Sequence, residues 1–335
     1  MPAPTWLTLI VPGSSAALAQ SAEQLHGLAL ARIAGRGTLS CPWNRRDAQD
    51  AGLRPWQRGL LATLDLSSAG FASAPASALG SGIAQPGEYW MQLEPVHFAA
   101  GLDRLTFLPL TDAAGILAAE RASLEPLLAE HLRSCGMDLH VLADGSWAVR
   151  CERELQVETS SPDAASAHEL DLVMPRGPDA GELRRVMTEL QMLLHDHPVN
   201  DARARRGLPA INAVWVWGSG LVTHKQAAQP LPSASGDAVY LRGVYASHDT
   251  PVNAAPSSCE ALLAATSTAK RALAAIPFTD LPALESQWIT PLVDALAARR
   301  LARLELILDS WRVQVDRAAL RRFWRKALPP AEWGV

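Results

Sequence analysis

Two histidines, two asparagines, an arginine and a glycine-bracketed tryptophan pair crowd into one stretch: His195-Asp-His197-Pro-Val-Asn200, then Arg203, Asn212, Trp215, Trp217, Gly218 and Gly220. Imidazoles titrate near neutrality and serve as proton carriers or metal ligands. The planar fork of Arg203 suits a phosphate or carboxylate, which it can bind through two oxygens at once. Asn200 and Asn212 add neutral donors. Trp215 and Trp217, two apart, share one strand face, which suits either stacking on a ligand or core packing. Upstream, Glu94, His97 and Asp103 are acid–base candidates, although His97 between Val96 and Phe98 equally suits a structural role. The pattern reads as a site for a small phosphorylated or carboxylated ligand. A metal is not expected: His195 and His197 stand at i, i+2, whereas zinc pairs on helices stand at i, i+4. Gly218-Ser-Gly220 lacks the Lys-Ser/Thr continuation of a phosphate loop and is expected to be a turn needing positive φ.

The elements that must position these groups follow from periodicity and turn chemistry. Trp6–Val11 reads as a buried first strand and Ala16–Ile33 as a helix. Residues 67–86 are Ala, Ser, Gly and Pro with hardly a charge, which predicts a mobile linker. Strands are expected at Tyr89–Phe98 and Arg104–Leu108, then a helix at Ala113–Arg133. Asp144-Gly145 between apolar runs predicts a hairpin, because both central turn positions require φ > 0. Asp179-x-x-Glu182 reads as a capping box opening a helix that Pro198 stops at His197. Ile211–Trp217 reads as a buried strand, Gln226–Gly236 as a connector and Val239–Val244 as a strand. Helices are expected at Glu260–Ile276 and Leu281–Arg299. A second hairpin, Arg303–Leu308 against Arg312–Asp316, precedes a C-terminal amphipathic helix, Arg317–Leu328. Mixed strands and helices predict an α/β fold, with α+β also compatible.

Composition sets the outer bounds. The chain has 335 residues, 48% hydrophobic and 19% charged, with a net charge of −4. Disorder of the whole chain, a membrane-spanning helix and a globally basic nucleic-acid binder are all disfavoured. The four cysteines show no CxxC pair, and no basic region precedes the first apolar run. Reduced thiols and a cytoplasmic location are the expectation. Residues 299–335 carry nine Lys/Arg against four Asp/Glu, a skew that suits solvated arginines or an anionic partner.

The segment from His195 to Gly220 resembles the His-Pro-x-Asn…Arg…Gly…Pro-Ala-x-Asn…Trp-x-Trp-Gly-x-Gly stretch of archaeal-type cofactor-independent phosphoglycerate mutases. Over most of its length the chain resembles the proteobacterial RpfE-type regulatory proteins. That likeness rests on Glu94-Pro95-Val96-His97 with Asp103-Arg104, the lead-in Glu189…His195 and the late Arg322-Phe-Trp-Arg325. The resemblance implies an alkaline-phosphatase-like lineage in one chain of 1–335, with 256–335 as a C-terminal subregion. It also implies a two-metal centre in active members, with one ligand an Asp in an Asp-Gly pair after the first strand. Here Pro12-Gly13 stands at that place, and nothing after Val252 matches the family's late Asp-x-x-x-His cluster. Paired dications need several anionic ligands. The expectation is therefore a regulatory or ligand-binding relative without that centre, binding no cofactor, with a protein partner open. One rival is a mutase-like or phosphatase-like enzyme with a rearranged site built from Glu94, His97, Asp103, His195 and His197. The other is an interaction module working through the basic C-terminal helix.

Overall fold

Leu7, Leu9 and Val11 alternate with Ile10 and Thr8, and that period of two lets one strand serve two cores. The computed structural model describes residues 5–14, 17–18, 28–43, 52–68, 70–101, 105–110, 115–223 and 230–333. In chain order the elements are β1 (Thr5–Ile10), α1 (Ala29–Arg36), β2 (Thr38–Ser40), α2 (Pro55–Thr63), α3 (Ser73–Gly80), β3 (Tyr89–Ala100), β4 (Leu105–Pro109), α4 (Ala118–Ser134), β5 (Met137–Val141), β6 (Trp147–Cys151), α5 (Pro162–Ala167), α6 (Leu170–Val173), α7 (Ala180–His195), α8 (Pro198–Arg205), β7 (Ala213–Leu221), β8 (Ser233–Ser235), α9 (Val239–Ala246), α10 (Cys259–Thr266), β9 (Arg271–Ala275), α11 (Leu281–Leu284), α12 (Thr290–Ala297), β10 (Leu301–Leu308), β11 (Trp311–Asp316) and α13 (Arg317–Leu320). The fold is mixed α/β. Among the described residues, one sheet runs β2-β11-β10-β1-β9-β8, with β10, β1, β9 and β8 parallel. A second, antiparallel sheet centres on β3, which pairs with β4 and β6 along one edge and β7 along the other. No helix among the described residues is long and apolar enough to cross a membrane.

Both hairpins form as expected. β5 pairs with β6 through a turn in which Gly145 has φ 79° and Asp144 Oδ1 accepts from Ser146 N. β10 pairs with β11 across Asp309, whose φ is 51°.

Five expectations are corrected. The segment 67–86 is not a linker throughout, since it carries α3, whose residues Ser73 to Ala78 are buried. Its small side chains are the reason it packs. A Cβ on Gly80 would stand 1.9 Å from the Val239 carbonyl oxygen, and one on Gly243 would stand 1.6 Å from that of Ala76. α3 and α9 therefore cross in backbone contact. The run 239–244 is accordingly helical, because a short apolar run does not distinguish a buried strand from a buried helix. The expected helix 260–276 stops at Thr266, and the alanine-rich remainder becomes β9, slotted between β1 and β8, where tertiary pairing overrides helix propensity. The C-terminal helix is confined to Arg317–Leu320, and beyond it Leu328 N donates to the Ala31 carbonyl as the chain is held against α1. Asp179 does not cap α7. Its Oδ2 accepts from Gln156 N at 2.7 Å, and that bond, with Arg153 beside it, holds its carboxyl below the usual range. Most of the expected helix 16–33 lies outside the described residues, its described end starting α1 at Ala29.

One carboxylate ties two of these helices together. Between α11 and α12 the chain widens into a π-helical turn, Glu285–Ile289. Glu285, buried there, accepts from Ala29 N at 2.5 Å and Leu30 N at 3.2 Å, supplying the N-terminus of α1 with the anion its own sequence lacks. Glu285→Ala is expected to lower stability by about 2 kcal/mol in chemical denaturation, the scale of lost charge-assisted hydrogen bonds. Gly243→Ala is expected to cost about 3 kcal/mol, since backbone rather than a flexible side chain must move.

Candidate functional site

Ligand sites in parallel sheets form beyond the carboxyl ends of the strands. Here that edge opens into a cavity of about 670 Å³, bounded by Pro12 after β1, by Asp237–Tyr240 after β8, by Ile276–Phe278 after β9, and by the β3 face carrying Gln92 and Glu94. Ser73 and Ser77 of α3 and the indoles of Trp147 and Trp217 complete the wall. The cavity lies where the two sheets meet.

Arg54 is the centre of its charge. The residue before Pro55 is held extended, Pro55 starts α2, and Gln57 Oε1 accepts from Arg54 N at 2.9 Å. Gln57 Nε2 then donates to Ser73 Oγ at 2.8 Å, which couples α2 to α3. The Arg54 guanidinium so placed donates to Glu94 Oε2 at 2.5 Å and Asp163 Oδ2 at 3.0 Å, and lies 5.0 Å from the centre of the Trp217 ring. Burial alone would ease its proton off, but Glu94 and Asp163 outweigh that and drive its pKa above the usual arginine range. The Asp309 carboxylate also acts on Arg54 and accepts from Gly13 N at 3.0 Å, so an anion does reach the end of β1, from the neighbouring strand. Arg121, by contrast, lines the cavity 5.7 Å from the Trp147 ring and has no carboxylate partner among the described residues. Asp144 and Asp237 line the wall as well.

The residues expected from sequence do not converge on this cavity as a group. Glu94 and Trp217 line it. Gly218 has the expected positive φ, 61°, but both it and Gly220 lie inside β7 rather than in a loop, where a Cβ would meet Ser73 Cβ at 2.7 Å and Ala72 Cβ at 2.9 Å. They make room for α3. Trp215 is buried, its Nε1 donating to the Ser160 carbonyl.

Arg203 is 0% exposed and paired to Glu120 at 2.8 Å, with its Nε on the Pro209 carbonyl, so it is a core strut rather than a ligand contact. Asn200 bonds both Leu194 and Ile211, and Asn212 pairs with the backbone of Phe98 in both directions. His97 Nδ1 sits 2.9 Å from the Ala210 carbonyl, and His197 caps α8 by accepting from Val199 N. His195 is exposed at the end of α7, 3.9 Å from Asp196. His97, Asn200, Arg203 and Asn212 form a clasp that fixes the 206–212 turn against β3. Asp103 lies outside the described residues. Sequence reasoning missed Arg54, Arg121 and Asp163. The only local signal was Arg54-Pro55 followed by Gln57, a helix-start pattern that announces geometry without chemistry.

No family model matches the chain. A 47-residue stretch is 45% identical to the 2,3-bisphosphoglycerate-independent phosphoglycerate mutase of Methanothrix thermoacetophila, covering 14% of this chain and 12% of that protein. A 65-residue stretch is 31% identical to the enzyme of the same name from Methanosarcina mazei, covering 19% and 16%. Among solved structures, a cofactor-independent phosphoglycerate mutase from Thermoplasma acidophilum aligns over 100% of this chain and 96% of its own at 14% identity and a TM-score of 0.44. A protein from Pyrococcus horikoshii aligns over 91% and 82% at 12% identity and a TM-score of 0.41. The matched stretches thus span less than a fifth of the curated mutases. Within that limit, they support relatedness between this chain and the cofactor-independent phosphoglycerate mutases.

Proposed function

We propose that this protein is a regulatory, ligand-binding relative of the cofactor-independent phosphoglycerate mutases, of the RpfE type, that binds a small carboxylated or phosphorylated ligand in the cavity between its two sheets. The observation that carries the reading is Arg54 clamped between Glu94 and Asp163. Glu94 on the cavity wall and Asp163 beside it already share one fixed side-chain cation, which offsets half of their charge. A dication there would have to displace the guanidinium or suffer its repulsion.

The donor set points the same way. Among the described residues no His or Cys lines the cavity, Pro12 offers no side-chain oxygen at the end of β1, and the wall carboxylates Glu94, Asp237 and Asp144 are bonded to Arg54, Arg242 and Ser146. These residues do not suit paired divalent metals, which draw their charge balance from several carboxylates and imidazoles.

For the ligand, Arg121 supplies the cation, while the Trp147 and Trp217 rings and the amide of Gln92 supply apolar wall and neutral hydrogen bonds. This arrangement is a small-molecule pocket with few polar anchors. It moves the expected anionic ligand away from Arg203 and onto Arg121.

Phosphoglycerate mutase assays with Mn²⁺ and Mg²⁺ are expected to show no turnover above background, and turnover abolished by EDTA would overturn the reading. A thermal-shift panel of phosphoglycerates, citrate and related carboxylates is expected to give at least one stabilising ligand, lost in Arg121→Gln with the basal melting temperature retained. If no ligand shifts the wild-type protein, or if Arg121→Gln responds unchanged, the cavity assignment fails. Arg54→Ala, which uncovers both carboxylates, is expected to destabilise the fold by about 2 kcal/mol and to regain part of that in millimolar Mn²⁺. An Arg54→Ala protein indifferent to Mn²⁺ would contradict the stand-in role of the guanidinium.

A further inference from the structure

On the side of the antiparallel sheet covered by α4 and α7, three side chains of different chemistry meet. His131 and Cys135 are spaced i, i+4 at the end of α4, so they project from one face of the last turn. Glu189 comes from the middle of α7. His131 Nε2 lies 3.0 Å from Glu189 Oε2 and 3.9 Å from Cys135 Sγ, and one donor atom from each of the three falls within 4.8 Å of the others. It is the one such His/Cys/Asp/Glu group among the described residues.

We propose that His131, Cys135 and Glu189 form a three-ligand site for a borderline dication of the zinc class, joining the end of α4 to α7. The distances fit the ion. Bonds of about 2.3 Å to sulfur and about 2.0–2.2 Å to nitrogen and oxygen, at tetrahedral angles, separate the ligand atoms by about 3.4–3.6 Å. The N···O pair must open and the N···S pair close by a few tenths of an ångström each, and the S···O pair, within 4.8 Å, closes by at most about 1.2 Å. Rotation of partly exposed side chains supplies that, since His131 and Glu189 are about a quarter exposed and Cys135 is half-buried.

The chemistry selects the metal. A thiolate and an imidazole disfavour Mg²⁺ or Ca²⁺ and favour Zn²⁺ or Co²⁺. The carbonyl end of α4 places partial negative charge beside the ion. The neighbouring groups leave the donors available. Arg185 binds Glu189 through Oε1 at 2.7 Å, so Oε2 remains for the metal, and Arg185 is itself exposed. Ser134 Oγ donates to the His131 carbonyl, 3.8 Å from Cys135 Sγ. With three protein ligands the fourth position is left to water or to a ligand atom from solution. On binding, the Cys135 proton is released to solvent. The site is separate from the cavity at the sheet edge and does not rest on the function proposed for it.

Titration of the reduced full-length protein with Co²⁺ tests this. The expected result is one equivalent bound with thiolate-to-cobalt charge-transfer absorption in the near ultraviolet, bleached by one equivalent of Zn²⁺. Cys135→Ser is expected to abolish the band and His131→Gln to weaken binding by more than the roughly 10–100-fold that loss of an outer-shell partner costs. Cys41→Ser is expected to leave the band intact. The buried Cys151 and Cys259 thiols, pushed up to about 12 and about 11 by burial, should not compete. Should Cys135→Ser fail to fold, Glu189→Gln carries the same test from the helix surface, with its fold checked by circular dichroism and its weakened Co²⁺ binding as the readout. Absence of a thiolate band in the wild-type protein, or its persistence in Cys135→Ser, overturns the proposal.

Discussion

Close backbone contact between α3, a helix of mostly small residues, and α9 at its Gly243 holds the two sheets in their relation. α3 touches α9, which belongs to the parallel sheet, through Gly80 and Gly243. It touches β7 and β3 of the antiparallel sheet where Gly218 and Gly220 clear space for Ser73 and Ala72. A helix with larger side chains could not approach three neighbours at these distances. Close packing at interior density transmits any added volume to everything it touches. The cavity at the parallel-sheet edge exists because this wedge fixes how far apart the sheets stand, with Ser73 and Ser77 forming part of its wall.

Electrostatics repeats the bridging that packing begins. Arg54 stands at the start of α2, which packs on β1 and β10, yet its partners Glu94, Asp163 and Trp217 belong to the other sheet and its surroundings. The cluster is about a quarter exposed, so water screens it in part and its worth lies in geometry as much as in energy. A guanidinium offers five donors in a rigid plane and does not lose its proton. It therefore holds two carboxylates apart at fixed positions under all physiological conditions. An exchangeable dication would hold them only when bound. The guanidinium thus fixes this part of the cavity wall through a side chain of the protein itself.

Elements with a local cause were legible in the sequence, and those with a distant cause were not. The hairpin at Asp144-Gly145 and the first strand follow from turn chemistry and alternation, and both form. The 67–86 segment looked like a linker because small uncharged residues carry no periodic signal, whereas their smallness answers a helix some 160 residues later. β9 reads as helix in isolation, since alanine favours helix until two parallel neighbours enclose it. The candidate site failed for a related reason. Arg203 has the type and spacing of an anion contact, but its partner Glu120 lies 83 residues upstream and draws it into the core. Glu94 was legible as chemistry, though its meaning came only with Arg54, 40 residues away.

The clasp built from His97, Asn200, Arg203 and Asn212 shows how a motif can be required by the fold itself. Asn200 replaces backbone pairing at a helix end, Asn212 replaces a strand partner for Phe98, and Arg203 meets three carbonyl or carboxylate acceptors around the 206–212 turn. Each would leave buried donors or acceptors unpaired if replaced, at about 1–3 kcal/mol apiece. A stretch of this kind stays recognisable because the fold requires it, whatever the chemistry at the sheet edge becomes. Resemblance concentrated in such a clasp is therefore a statement about shared architecture. The cavity residues Arg54 and Arg121 lie outside the clasp, so the architecture it fixes leaves them free to vary.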